Sequence, residues 1–215
     1  MSAPVHAIPA PGLLAQALDR KRRACHANAA PELELRHDRL DRAIALLTGH
    51  QDALCEAMDA DFGGRPQLLS KLTDIVAPVR ALRFARRHLR RWMRPQRRRA
   101  PFPLGWLGAR AWVEYQPKGV VGIISPWNYP VALAFSPLAG ALAAGNRVML
   151  KPSEQVPATS ALINHLVARY FDPDELSVWQ GGPEVGKAFA ALPFDHLLFT
   201  GSGSVGRSVL AAAAE

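Results

Sequence analysis

A chain of 215 residues, 49% of them hydrophobic, can bury one large or two small cores and is of a globular type. Its net charge of +8 is local: residues 80–99 hold ten arginines and no lysine or acidic residue, and the remainder is slightly negative. No apolar run reaches the ~20 residues needed to span a bilayer, and the amino terminus lacks the basic start and apolar block of an export signal. Two cysteines make no disulfide framework. No membrane association is therefore expected, and the expected location is cytoplasmic.

In chain order, residues 1–12 are rich in Pro and Ala and are expected to form a flexible arm. Leu13 to Asn28 is a predicted helix. From Glu32 to Ala60 the spacing of Leu33, Leu40, Ile44, Leu47, Leu54 and Met58 predicts two amphipathic helices, or one kinked helix, with a break at Thr48-Gly49. Phe62 to Pro66 is a turn, and Pro66 opens a helix to Met93 whose stripe is Ile75, Val79, Leu82, Leu89 and Met93. Arg80, Arg83, Arg87, Arg90 and Arg94 flank that stripe. Pro95 ends the helix, and Gln96 to Gly108 is expected to be an irregular connector. Ala111 to Gln116 alternates apolar and polar residues as a half-exposed strand does.

Val120 to Ile124 is a β-branched run, apolar on both faces, which predicts an inner strand of a parallel sheet. It leads through Ser125-Pro126-Trp127-Asn128-Tyr129 to Pro130, whose fixed φ suits a first helical turn. The helix behind it, about Val131 to Ala144, is built of small and apolar residues, contains Pro137, and ends in Gly145-Asn146, a left-handed cap. Arg147 to Leu150 is the next strand and runs into Lys151-Pro152-Ser153-Glu154. The pattern continues with a helix at Pro157 to Tyr170, a strand at Leu176 to Gln180, a helix at Pro183 to Leu192, a strand at His196 to Thr200 and a helix from Val205. The expected fold is α/β, a doubly wound parallel (Rossmann-like) sheet, incomplete at its C-terminal edge and preceded by an N-terminal helical segment. Polar groups then gather at the carboxyl ends of the strands, where such sheets bind ligands.

The turn alone leaves Asn128 open as a cap for the helix behind it. Lys151 and Glu154 are open as a solvated strand end. Gly201 to Gly206 satisfies the dinucleotide fingerprint G-x-G-x-x-G and also the pattern G-S-x-x-x-G. It follows the fourth strand of the sheet, however, where the ordinary fingerprint follows the first.

PKGVVGIISPWNYP, AAGNRVMLKPSE and LLFTGSGSVGR, in this order and at these separations, resemble the coenzyme-binding half of the NAD(P)-dependent aldehyde dehydrogenase superfamily. DFGGRP and RHLRRWMRP resemble its coniferyl-aldehyde-dehydrogenase-like branch. The resemblance runs from about residue 35 to 215. It implies oxidation of an aldehyde, coniferyl-type aromatic or aliphatic, to its acid through a thiohemiacetal, with Asn128 as donor to the developing oxyanion. It further implies cofactor contacts from Ser125, Pro126, Trp127, Lys151, Ser153, Glu154, Gly201, Ser202 and Gly206. Lys151 and Glu154 would meet the adenosine ribose, and Ser202 with the amides at the helix start would meet the pyrophosphate. A carboxylate at Glu154 points to NAD, with NADP open because Lys151 is close enough to offset it.

The implied division is an arm (1–12), a helical region with connector (13–108), a strand of an oligomerisation arm (109–116) and the first part of a dinucleotide-binding domain (117–215). The family's nucleophilic Cys, its general-base Glu and its catalytic domain lie beyond these positions. The chain alone is thus expected to be inactive and its sheet edge prone to aggregation. The implied partners are a nicotinamide dinucleotide, an aldehyde and a second copy of the parent. A non-catalytic dinucleotide-binding or subunit-interaction remnant is the alternative. Cys25 and Cys55 are expected to be small buried hydrophobes rather than nucleophiles. The seven histidines show no metal-ligand spacing. The arginine run is expected to be a solvated face or subunit contact rather than a nucleic-acid surface.

Overall fold

The computed structural model describes residues 12–214, so most of the expected flexible arm lies outside the described residues. The first part is helical: α1 (Leu13–Ala27), α2 (Leu33–Gly49), α3 (Gln51–Phe62), α4 (Gln67–Ser70), a π-helical turn (Lys71–Val76) and α5 (Ala77–Trp92). The helices α2 and α3 part at His50, one residue past the predicted break at Thr48-Gly49, which form the last two residues of α2. The expected Pro66–Met93 helix is one run from Gln67 to Trp92, with Ile75, Val79, Leu82 and Leu89 buried. The extra residue per turn at 71–76 was not expected, and the buried positions there are Asp74 and Ile75.

Two strands interrupt the connector. β1 (Gln96–Arg98) pairs antiparallel with β2 (Ala111–Val113), matching Gln96 with Val113 and Arg98 with Ala111. The expectation of irregular structure over 96–108 is corrected at its start. All three residues of β1 are exposed, so pairing rather than burial makes the strand, and no periodicity announces it. β2 is shorter than the predicted 111–116 and more exposed than half.

The sheet is built of β3 (Val120–Ile124), β4 (Arg147–Lys151), β5 (Leu176–Val178) and β6 (His196–Phe199), all parallel in the order β5-β4-β3-β6. The order reverses at β3, which is flanked on both sides as its composition predicts. Side chains alternate between two cores. Val121, Ile123, Val148 and Leu150 join the helices α2, α5, α6 (Ala132–Ala143) and α7 (Pro157–Tyr170) on one face. Val120 and Met149 join α1 and α8 (Pro183–Ala190) on the other. Gly122 faces Phe194 and Leu197, whose atoms lie 2.7 and 2.8 Å from where a Cβ would stand. Only glycine permits that approach.

α6 begins at Ala132 with Val131 as its N-cap, so Pro130 stands two residues ahead of the helix rather than in its first turn. The helix ends in a Schellman motif: Asn146 N–H bonds Ala141 O at 3.0 Å, Gly145 N–H bonds Leu142 O at 2.9 Å, and Gly145 has φ +86°. The helical layer also closes both its poles, Asp74 at the amino end and Arg36 at the carboxyl end, where Nη1 donates to Ala143 O. This is the sign order that the helix dipole favours. α9 (Gly203–Ala212) starts two residues before the predicted Val205 and has no buried residue. β6 is the sheet edge beside it, with β3 as its one partner among the described residues. No described helix is long and apolar enough to cross a membrane.

Candidate functional site

β3, β4 and β6 end at one level: Ile124 pairs with Lys151 on one side and with Phe199 on the other. Ser125 N–H continues the ladder to Lys151 O at 3.1 Å, and Thr200 N–H to Ile124 O at 3.0 Å. Ser125 through Asn128, Lys151 through Glu154, and Gly201 through Gly206 therefore leave the same carboxyl rim of the sheet, at the reversal of strand order. Parallel strands in register bring these segments together. A sequence can show only that each follows a strand.

The four helices that start at this rim differ in whether their first amides are already satisfied. At α6, Asp74 Oδ1 accepts from Val131 and Ala132 N–H, both at 3.2 Å. At α7, Asp61 accepts from Ala158 at 2.9 Å and Thr159 at 2.8 Å. α8 carries Glu184 in its first turn, next to the anion-attracting pole. α9 has no acidic residue there, and its start is capped only by its own Ser202, Oγ to Val205 N–H at 3.4 Å. Gly201, Ser202, Gly203 and Ser204 are all exposed. Of the four, the α9 terminus is the one open to an anion.

Lys151 is buried at the end of β4, and its Nζ donates to Glu154 at 2.9 Å and to Pro152 O at 3.1 Å. Burial would raise the Glu154 carboxyl, but its own backbone amide and Lys151 together hold it below the usual range. Glu154 lines a cleft of about 180 Å³ together with Pro152, Ser153, Ser160, Gln180 and Gly182 among others. Ser125 Oγ, Thr159 Oγ1 and Gln180 Oε1 are buried at this rim without a partner among the described residues. Orphan oxygens of this kind suit a hydroxyl-rich ligand. A larger cavity, about 400 Å³, lies at the opposite end of α6 between Arg36, Trp92, Tyr115 and Gly140, and no predicted site residue lines it.

Asn128 is exposed. Its side chain makes no hydrogen bond within the described residues, and the amides it was considered as capping belong to Asp74. The capping alternative is thereby removed. Its carbonyl accepts from Arg65 Nη1 at 2.9 Å, and Arg65 Nη2 reaches Asp74 Oδ2 at 2.7 Å. The Arg65 guanidinium lies 4.7 Å from the Phe62 ring and 5.4 Å from the Tyr129 ring, while Trp127 leans on Phe62 at 6.2 Å.

Sequence reasoning missed Arg65, Asp74, Asp61 and Gln180. One signal was present: Asp74 is the sole acidic residue between Pro66 and Met93. Cys25 and Cys55 both have thiols pushed up, burial first, with Arg147 opposing at Cys25 and Lys71 at Cys55. Neither is activated as a nucleophile.

Residues 13–215 match the aldehyde dehydrogenase family. The chain is 52% identical over 202 residues to the coniferyl aldehyde dehydrogenase of Pseudomonas sp. (strain HR199 / DSM 7063), covering 94% of this chain and 41% of that protein. It is 50% identical over 199 residues to the probable coniferyl aldehyde dehydrogenase of Caulobacter vibrioides, covering 92% of this chain and 41% of that protein. Among solved structures, the substrate-bound state of Staphylococcus aureus AldH superposes with a TM-score of 0.88 at 29% identity, over 94% of this chain and 43% of that one. The chain thus spans about two fifths of the length of the curated relatives it matches.

Proposed function

This chain belongs to the aldehyde dehydrogenase family, and from that premise we propose that it is the amino-terminal, coenzyme-binding portion of an NAD(P)-dependent enzyme that oxidises an aldehyde to its carboxylic acid. The observation that carries the reading is the open start of α9 on the same rim as the Lys151–Glu154 pair, while α6 and α7 have theirs closed. Gly201, Ser202 and Gly206 hold the pyrophosphate at that helix start. Lys151, Ser153 and Glu154 take the adenosine ribose beside the cleft. Ser125, Pro126 and Trp127 form the wall between. A nicotinamide dinucleotide bound there supplies the hydride acceptor.

Asn128 is the oxyanion donor. Its free carboxamide faces the aldehyde oxygen as charge develops, a contact worth about 3 kcal/mol in the transition state. The nucleophilic Cys and general-base Glu are assigned to the part of the relatives' length that this chain does not span, so residues 1–215 alone are inactive. Glu154 disfavours a 2′-phosphate, which makes NAD the preferred coenzyme over NADP. The names of the two relatives at 52% and 50% identity support a coniferyl-type aromatic aldehyde. The enzyme is cytoplasmic and a dimer, with β2 in its oligomerisation arm.

Calorimetric titration of NAD into the full-length protein containing this segment tests the reading. Lys151→Ala and Ser202→Trp should each weaken binding by about tenfold or more, the equivalent of 1.4 kcal/mol. Unchanged affinity in both variants would remove these residues from the site.

A further inference from the structure

We propose that Arg65 and Asp74 are positioning residues that fix the backbone from which Asn128 reaches the reacting oxygen, a step that rests on the reading of Asn128 as oxyanion donor. An exposed Asn in a seven-residue turn has no packing of its own to hold it. An oxyanion donor nevertheless has to stay within about 0.5 Å of its productive place. The structure supplies the restraint from a distant part of the chain. Arg65 Nη1 bonds the Asn128 carbonyl at 2.9 Å, which fixes the peptide plane that follows Asn128 and hence the direction of its side chain. The same guanidinium lies 5.4 Å from the Tyr129 ring, one residue on. Through Nη2 it holds Asp74 at 2.7 Å, and Asp74 holds the amides of Val131 and Ala132, three and four residues on.

The pair is buried, Asp74 at 0% and Arg65 at 9% exposure. A buried ion pair is weak evidence for stability, because well-packed apolar replacements often match it. Its reach into the turn at three successive points fits a role in geometry. Two local features serve that reach. Gly63 and Gly64, at φ +67° and +128°, turn the chain so that Arg65 comes back over Phe62. The π-helical turn at Lys71–Val76 carries Asp74 to the start of α6, and such turns often occur at functional sites. Capping of α6 alone would require Asp74 but not the contact of Arg65 with Asn128.

The test uses the full-length protein with NAD and cinnamaldehyde. Arg65→Lys keeps a cation opposite Asp74 but lacks the planar fork that reaches both partners. It should fold and bind NAD as the parent does, while kcat falls about tenfold to a hundredfold. Asp74→Asn should lower kcat in the same direction. Asn128→Ala should lower it about a hundredfold, and adding Arg65→Lys to Asn128→Ala should cost no more than about twofold further, since both act through one group. Independently of turnover, Asp74→Ala should speed hydrogen exchange at Val131 and Ala132.

If Arg65→Lys keeps full kcat while Asn128→Ala loses it, the clamp is wrong and the oxyanion reading stands. Losses that multiply in the double variant, or unchanged exchange at Val131 and Ala132, also overturn the clamp. Full kcat in Asn128→Ala brings down the oxyanion reading and the clamp with it.

Discussion

Asp61 closes the first turn of α7 onto Thr159, accepting its amide at 2.8 Å and that of Ala158 at 2.9 Å. The last turn of α3 is thereby tied to a helix that follows the second strand of the sheet. N-terminal caps contribute about 1 kcal/mol. Asp61→Ala should lower the unfolding free energy by that amount, read as a lower urea midpoint at an unchanged m value. Asp61→Asn, which retains an acceptor, should recover most of it. An Asp61→Ala midpoint equal to that of the parent would show that water replaces the cap without loss.

Glu175 joins the helical layer to the start of β5. Its carboxylate takes Arg39 Nε at 2.8 Å and Arg42 Nη1 at 2.8 Å, with the Arg39 side chain only 2% exposed. Burial would raise the Glu175 carboxyl, but hydrogen bonds from Arg42 and Arg39 outweigh it and hold the group below its ordinary value. A carboxylate with a depressed folded pKa adds stability above its unfolded pKa and loses it as pH falls through the folded one. Glu175→Gln leaves Arg39 as a buried cation with a neutral acceptor, and should cost about 3 kcal/mol at neutral pH. The gap between parent and variant should narrow on acidification. A gap that stays constant down to about pH 3, below the ordinary carboxylate range, would contradict the linkage.

The sheet was legible because its signals are local. Val120 to Ile124 is apolar on both faces, Gly145-Asn146 stops α6, and Gly181-Gly182 closes β5, each within a few residues of the feature it specifies. The site was legible as three segments that follow strands. What held those segments was not. Asp74 and Val131 are separated by 57 residues and Asp61 and Thr159 by 98, so Asp61 looks like ordinary surface charge, and the isolation of Asp74 in its segment does not say which amides it caps. β1 was missed because an exposed strand in an arginine-rich stretch has pairing but no burial pattern. The glycine-rich turn at Gly201 to Gly206 was legible as a motif, and the resemblance implied a pyrophosphate contact there. That the start of α9 lacks the carboxylate caps found at α6 and α7 is a tertiary fact.

The Lys151–Glu154 contact bears on which coenzyme is taken. Glu154 Oε2 accepts from the buried ammonium at 2.9 Å, and on the proposed reading the same carboxylate meets the ribose. On that reading, Glu154→Gln removes a negative charge from beside a 2′-phosphate and frees Lys151 to meet it. Both changes act in one direction. NADP should gain on NAD by about tenfold in relative affinity, a partly screened like-charge contribution on the order of 1 kcal/mol. Competitive titration of the two coenzymes on the full-length protein measures it. A ratio that stays put would place the 2′ position away from Glu154.

Lys21 offers the sharpest dependence on pH. It is a fully buried residue of α1, with Nζ donating to Pro173 O. Burial lowers its pKa to about 7, with Asp174 opposing and Arg147 and Arg20 assisting. The unfolded chain keeps that proton up to roughly pH 10. Between the two values the unfolded state binds more protons, so stability rises with pH through this window and is flat with respect to Lys21 below it. Lys21→Met should therefore be more stable than the parent by a constant margin below about pH 7, and the margin should shrink as pH climbs toward the unfolded value. Taking the difference between the two proteins at each pH cancels every other titration they share. Thermal unfolding at a series of pH values gives that difference directly. A margin independent of pH across the alkaline window would mean that Lys21 stays charged in the folded chain, compensated by Asp174 more strongly than burial allows.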